Sequence, residues 1–252
     1  MLSAFGALAV TSACGQQSRA AAPRPLAGSP PRPRRSTQKP TPGATAAGTA
    51  RGPAQELDSG SRTGSLVALT FHGQGDPALT DALLAQAEQA KASVTVFAIG
   101  SWLAAHPTTA RRIISGGHEL ANHTQRHLPM AAMGETAAYA EFAQCADVLR
   151  RLTGSPGRWV RPSGTPHATA AVRAAAGRAG YRVCVGYDVD SLDYTDPGPQ
   201  TVRRRCAVAR PGSIVSLHLG HPDTVAALPG VLSDLRRAGL RPVTLSTLLG
   251  PR

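Results

Sequence analysis

From residue 66 onward, short apolar runs alternate with longer stretches whose apolar residues recur at helical spacing. Residues 66–71 (LVALTF) read as a buried strand and 78–90 (ALTDALLAQAEQA) as a helix. Residues 94–99 form a second strand, rich in β-branched side chains. A helix then opens at Pro107, runs to Ile114 and is stopped by Gly116 and Gly117. Residues 118–121 give a short third strand, 135–152 a long Ala-rich helix, and 159–161 a fourth strand cut off by Pro162. The rhythm repeats with a helix over 168–179, a strand over 182–187, a helix over 200–209, a strand over 213–217, a helix over 224–238 and a seventh strand over 242–245. Strands alternating with helices imply βα units and a parallel sheet. The expected architecture is therefore α/β, a distorted (β/α)7-type barrel forming a single domain over residues 63–252.

The front of the chain follows a different pattern. Residues 1–13 (MLSAFGALAVTSA) are apolar and small, too few to cross a bilayer, and read as the hydrophobic part of an export signal. The segment Thr11-Ser12-Ala13-Cys14 resembles a bacterial lipoprotein signal, in which the cysteine receives a lipid. Residues 15–62 are rich in Pro, Ala and Arg with almost nothing large and apolar to bury, which predicts a disordered tether. The chain carries a formal net charge of +12, and the eight Lys and Arg against two acids in residues 1–62 supply half of it. No aromatic or recognition motif is interleaved with those charges, so nucleic acid is not expected as a partner. The expected location is outside the cell or lipid-anchored at its surface, with membrane contact only through Cys14. Export also allows one disulfide among Cys145, Cys184 and Cys206, leaving one thiol over.

Chemistry-bearing residues follow the strands. Phe71 is followed by His72-Gly-Gln-Gly-Asp76, the third strand by His123 and His127, and the fourth by Arg161-Pro-Ser-Gly164. The fifth is followed by Asp188, Asp190 and Asp193, and the sixth by His218. In a parallel barrel the carboxyl ends of all strands face one side, where active sites are built. Two imidazoles four residues apart share one face of a helical turn, so His123 and His127 are candidate ligands of one divalent metal.

Taken in order, these segments resemble the NodB-type polysaccharide deacetylases, carbohydrate esterase family 4. The resemblance covers roughly residues 64–250. It rests on His123-Thr124-Gln-Arg-His127 within GGHELANHT, on Arg161-Pro162-Ser163-Gly164, on Asp190-Ser-Leu-Asp193-Tyr194, and on Ile214-Val-Ser-Leu-His218. It implies hydrolysis of the acetamide of N-acetylglucosamine-type units in an N-acetylated polysaccharide such as peptidoglycan or chitin. It also implies a divalent metal held by His123 and His127, zinc first, with cobalt and nickel as alternatives. His218 is then the acid that protonates the departing amine, Asp193 its carboxylate partner, Arg161 the residue that orients the base, and Tyr194 and Leu217 the apolar wall against the sugar. The first motif departs from the family pattern Thr-Phe-Asp-Asp-Gly, because Thr70 and Phe71 are followed by His72 and Gly73. The base and the third ligand are thus left to His72 or Asp76, the latter if the glycines flanking Gln74 curl the backbone towards the metal. Two other functions remain open at this point: an inert carbohydrate-binding barrel, and an amidase acting on a small acetylated metabolite.

Overall fold

The computed structural model describes residues 52–250. The expected signal at 1–14 and most of the tether lie outside the described residues. The fold centres on β2 (Leu66–Gly73), where five consecutive positions are fully buried. An unbroken apolar run of this kind suits a strand covered on both faces. It is flanked in parallel by β3 (Thr95–Ala98) and β7 (Ile214–His218), and the order continues to β4 (Glu119–Asn122) on one side and β6 (Val189–Asp190) on the other. Beyond β4 the single residue Val160 bridges to Asn122 and to Cys184, which carries the array on to β5 (Val183–Val185) and its parallel partner β1 (Gln55–Leu57). β8 (Arg241–Pro242) pairs with the start of β2. The arrangement is barrel-like, but no continuous ladder closes it.

Alternation along the strands splits the core in two. Val67, Leu69 and Phe71 face outward and pack with Leu83, Leu84, Leu228, Val231 and Leu232. These partners belong to α1 (Pro77–Gln89) and α7 (Pro222–Arg237). Ala68 faces inward with Phe97, Trp159, Val183, Val185 and Ile214. That interior is stoppered at the amino ends of the strands by Leu245 and Leu249 of α8 (Leu245–Leu249). The filled interior leaves only the carboxyl ends open. There the register sets His72 opposite both Phe97 and His218, and Ala98 opposite Asn122.

The remaining helices are α2 (Gly100–Ala105), α3 (Pro107–Ser115), α4 (Glu135–Thr153), α5 (Ala170–Arg178) and α6 (Pro199–Cys206). Four expectations need correction. The tether ends before residue 62, because β1 pairs with β5 and Arg62 reaches Asp188 at 2.9 Å. The fourth strand shrinks to Val160, since Pro162 follows too closely for a ladder to extend. The seventh strand is only Arg241–Pro242, and the chain turns helical at Leu245 after Thr244 caps the amide of Thr247. Cys145, Cys184 and Cys206 are all buried free thiols, with no disulfide among them.

Candidate active site

The histidine pair does not sit on a helical turn. After β4 the chain makes an open bend with Thr124 at φ 69° and His127 at φ 57°, both in the left-handed region. Side chains hold this bend where a helix would use its own carbonyls. Asn122 Oδ1 accepts from the Thr124 amide at 2.9 Å and Thr124 Oγ1 from the His127 amide at 3.2 Å. One oxygen of Glu141 accepts from the amides of Gln125 at 3.1 Å and Arg126 at 2.8 Å. The bend delivers the two rings to a centroid separation of 4.9 Å. His123 and His127 are thus brought together by a bend and not by a helical turn.

His123 is 1% exposed, and its Nδ1 donates to the Arg161 carbonyl at 2.9 Å. A carbonyl only accepts, so the proton is on Nδ1 and Nε2 carries a lone pair. That Nε2 is buried without a hydrogen-bond partner. Burial, followed by the neighbouring His127, holds the imidazole well below its ordinary pKa, so the ring stays neutral. An imidazole with its tautomer fixed by a backbone carbonyl and its other nitrogen free is the usual form of a metal ligand. His127 is also lowered, by burial and then by His218. The donor chemistry of this pair fits a divalent ion such as zinc. The strand position that the resemblance assigns to a third ligand is occupied by Gly73, and a Cβ built there would lie 3.0 Å from Ala98 Cα and from Val96 Cγ1. The backbones are too close at that point for a larger side chain without a shift.

His72 occupies the centre of the site. Its ring stacks on His123 at 4.6 Å and meets His218 edge-on at 4.3 Å. Arg161 Nη1 lies 3.0 Å from His72 Nε2, and His72 Nδ1 lies 2.7 Å from His218 Nε2. His218 Nδ1 in turn lies 2.7 Å from Asp193 Oδ1. Burial pushes Arg161 down to about 9, still above neutrality, so it remains a cation and can only donate. The direction of every bond follows: Arg161 donates to His72, His72 to His218, and His218 to Asp193. Both His72 nitrogens are therefore engaged, and burial, His123 and Arg161 together keep the ring neutral. Asp193 is fully buried, which opposes its charge. Hydrogen bonds from His218 and from Thr224 Oγ1 at 2.6 Å outweigh that and hold the carboxyl below the ordinary range.

Arg161 is locked by the Val185 and Gly186 carbonyls and by Thr70 Oγ1, and lies 4.2 Å over the Phe97 ring. Around these groups opens a pocket of about 260 Å³, lined by His72, His123, His127, Arg161, Tyr187 and His218, with Asp190 and Tyr194 at its wall. Tyr194 is 49% exposed, its ring 5.2 Å from that of His218, which suits a surface for a sugar face. A larger hollow of about 670 Å³, walled by Lys91, Arg236 and Arg241, lies at the opposite ends of the strands and contains none of these groups.

Three sequence-derived assignments fail. His72 has no free lone pair with which to act as base or ligand, because its Nε2 accepts from Arg161 and its Nδ1 carries the proton shared with His218. Asp76 does not line the pocket. It is the exposed N-cap of α1, its Oδ1 accepting from the Ala78 amide at 2.8 Å, and the preceding Gly75 carbonyl is held by Trp102 Nε1. Asp-Pro before an apolar periodic stretch is itself a capping signal, and it overrides the curl expected of the glycines. Leu217 is 1% exposed and points into the outer core, because inward and outward positions alternate and its neighbour His218 takes the inward one. Thr70, Glu141, Tyr187 and Thr224 were not legible as site residues, since each lies in a stretch whose pattern reads as plain strand or helix. Among the described residues, three metal-capable side chains with ligand atoms mutually within 4.8 Å occur at Glu56, Asp58 and His167, outside this pocket.

Comparison with known proteins gives the family. Residues 59–184 match the polysaccharide deacetylase family model. A peptidoglycan-N-acetylglucosamine deacetylase of Bacillus cereus is 31% identical over 189 residues, 73% of this chain and 88% of the relative. A chitooligosaccharide deacetylase of a Bradyrhizobium species is 31% identical over 198 residues, 72% and 88% of the two chains. A solved peptidoglycan N-acetylglucosamine deacetylase superposes with a TM-score of 0.73 at 25% identity, covering 79% of this chain and 94% of the other. A family 4 pseudoenzyme of Bacillus anthracis shares the fold with a TM-score of 0.72 at 20% identity, covering 77% and 68%. The chain belongs to the polysaccharide deacetylase family, carbohydrate esterase family 4, whose named deacetylases are hydrolases acting on amide bonds.

Proposed function

We propose that this protein is an exported, metal-dependent hydrolase that removes N-acetyl groups from N-acetylglucosamine-type units of an envelope polysaccharide. The observation that carries the reading is the buried, unpartnered Nε2 of His123, on a ring set beside His127 and lining the same pocket as His218, which is paired with Asp193. His123 and His127 are the residues that would hold zinc, which polarises an amide carbonyl and acidifies water when bound. His218 starts with a lone pair on Nε2, the state of a base. It accepts the proton of the attacking water there, the resulting imidazolium is stabilised by ionised Asp193, and the same proton passes to the departing amine. His72 donates into that lone pair in the structure, so its ring has to release His218 before the water can enter. Arg161, held by three acceptors of the barrel wall, fixes His72 and brings positive charge to the pocket. The relatives' activities on peptidoglycan and chitooligosaccharides support the substrate class. The apolar opening segment supports export on sequence alone.

A second reading is favoured by one feature of the site: His72 and Gly73 stand where the family pattern has two carboxylates, and His72 is tied to His218 and Arg161. On that reading the pocket binds an N-acetylated glycan without cleaving it. Acetate release from acetylated chitooligosaccharides and peptidoglycan fragments, measured on chelated and zinc-reconstituted protein, separates the two. Zinc-dependent release supports hydrolysis. Saturable glycan binding with no acetate supports the second reading and overturns the first.

A further inference from the structure

Glu141 is a buried acid that the chemistry above does not use. It is 1% exposed, on a face of α4 that otherwise buries Ala138, Phe142 and Cys145. A carboxylate on such a face is costly to desolvate unless it is fully paired. Its partners are specific: Oε2 accepts from the amides of Gln125 and Arg126, and Oε1 from Arg126 Nε at 2.7 Å. Those two amides lie between the two imidazoles, within a bend bounded by left-handed residues at Thr124 and His127. Successive backbone amides converging on one anion form a nest, and here the anion belongs to the protein. The carbonyls of Thr124 and Gln125 are tied on the other side to the amides of Gly100 and Ser101, at 3.0 and 2.9 Å. The bend is therefore clamped between the start of α2 and a single carboxylate of α4.

We propose that Glu141 is a positioning residue that templates the His123–His127 bend and so sets the separation of the two imidazoles. This rests on the reading that the pair holds a metal. It adds a residue outside the pocket, and outside every motif of the resemblance, whose charge determines how the pair is presented. A neutral amide replaces it only in part, because a Gln oxygen accepts less strongly from the two amides than a carboxylate does, and its NH₂ would face the Arg126 Nε–H, donor against donor.

The test uses the full chain and zinc alone as the probe. By isothermal titration, Glu141→Gln should bind zinc about tenfold or more weaker than wild type while unfolding as cooperatively. Arg126→Ala, which keeps both backbone anchors, should stay within about threefold of wild type, well short of that loss. In the metal-free protein the NOE between the His123 and His127 rings should weaken in Glu141→Gln, a readout that stands even if the wild type takes no zinc. Failure of wild-type zinc binding with loss of the NOE in the variant would sink the metal reading and leave the positioning role intact. A folded Glu141→Gln protein that keeps the ring–ring NOE and wild-type zinc affinity would overturn the proposal.

Discussion

His72 Nδ1 and His218 Nε2 stand 2.7 Å apart on neighbouring parallel strands whose register pairs these same two residues. Because Arg161 can only donate to the other nitrogen of His72, that contact runs from His72 to His218 and fills the lone pair that the proposed hydrolysis uses. The first-motif departure therefore does more than leave out a carboxylate: it places a hydrogen-bond donor against the imidazole proposed as acid and base. Replacing His72 with Asp removes that donor and gives Arg161 an anionic partner facing the histidine pair. Since a positioned acid or base contributes about 10²–10⁴ in rate, acetate release by His72→Asp should exceed wild type by at least about tenfold. An unchanged or lower rate in a folded variant would show that His72 does not occlude the site.

Asp193 accepts from the His218 ring, the His218 amide and Thr224. Asp193→Asn keeps the shape but leaves His218 Nδ1 without a charged acceptor, so turnover should fall about 10²–10⁴-fold. Zinc occupancy should be unaffected, because Asp193 is not among the proposed ligands. Loss of both together would assign Asp193 a role in holding the site open.

Asp76 caps α1 and stays out of the pocket. Asp76→Ala should lower unfolding stability by about 1 kcal/mol, the usual cost of losing an N-cap, and leave acetate release and zinc content as in wild type. A loss of activity without loss of stability would restore Asp76 to the catalytic group.

The neutral histidines make stability depend on pH. His72, His123 and His127 all have folded-state pKa values below the ordinary value of about 6.5, so below that pH the unfolded chain binds protons that the native state refuses. Their contribution is fully present above about pH 6.5 and is lost progressively as pH falls towards the folded values. Each such ring contributes up to about 1.4 kcal/mol per pH unit to the slope. Denaturant unfolding of metal-free protein between pH 8 and pH 5 should show this decline, and His123→Asn should make it shallower. A flat profile would mean that the rings are not held neutral.

Much of the fold was readable from period alone. Residues 66–71, 94–99 and 213–217 are near-continuous apolar runs, and they became the three central strands, because a strand covered on both faces has no other way to look. What failed was short or set by tertiary partners. Gln55–Leu57 carries one apolar residue and exists as a strand through its pairing with Val183–Val185. In the site, His123, His127, Arg161, Asp193 and His218 came together as the ordered motifs implied, since strand ends in a parallel array share one rim. Asp76 and Leu217 were misplaced by one missed helix cap and one strand face. Glu141 and Thr224 were invisible because a buried polar residue within a helix pattern shows its purpose only when its partner from another segment is in place.

The central claim is that His123 and His127 together hold the metal on which hydrolysis depends. It is tested most directly by measuring bound zinc per chain and acetate release on the same preparations of wild type, His123→Ala and His127→Ala. One zinc per wild-type chain, lost in both variants together with acetate release, is the predicted result. Acetate release that persists in either variant, or that proceeds in wild type after the zinc has been stripped, would contradict it.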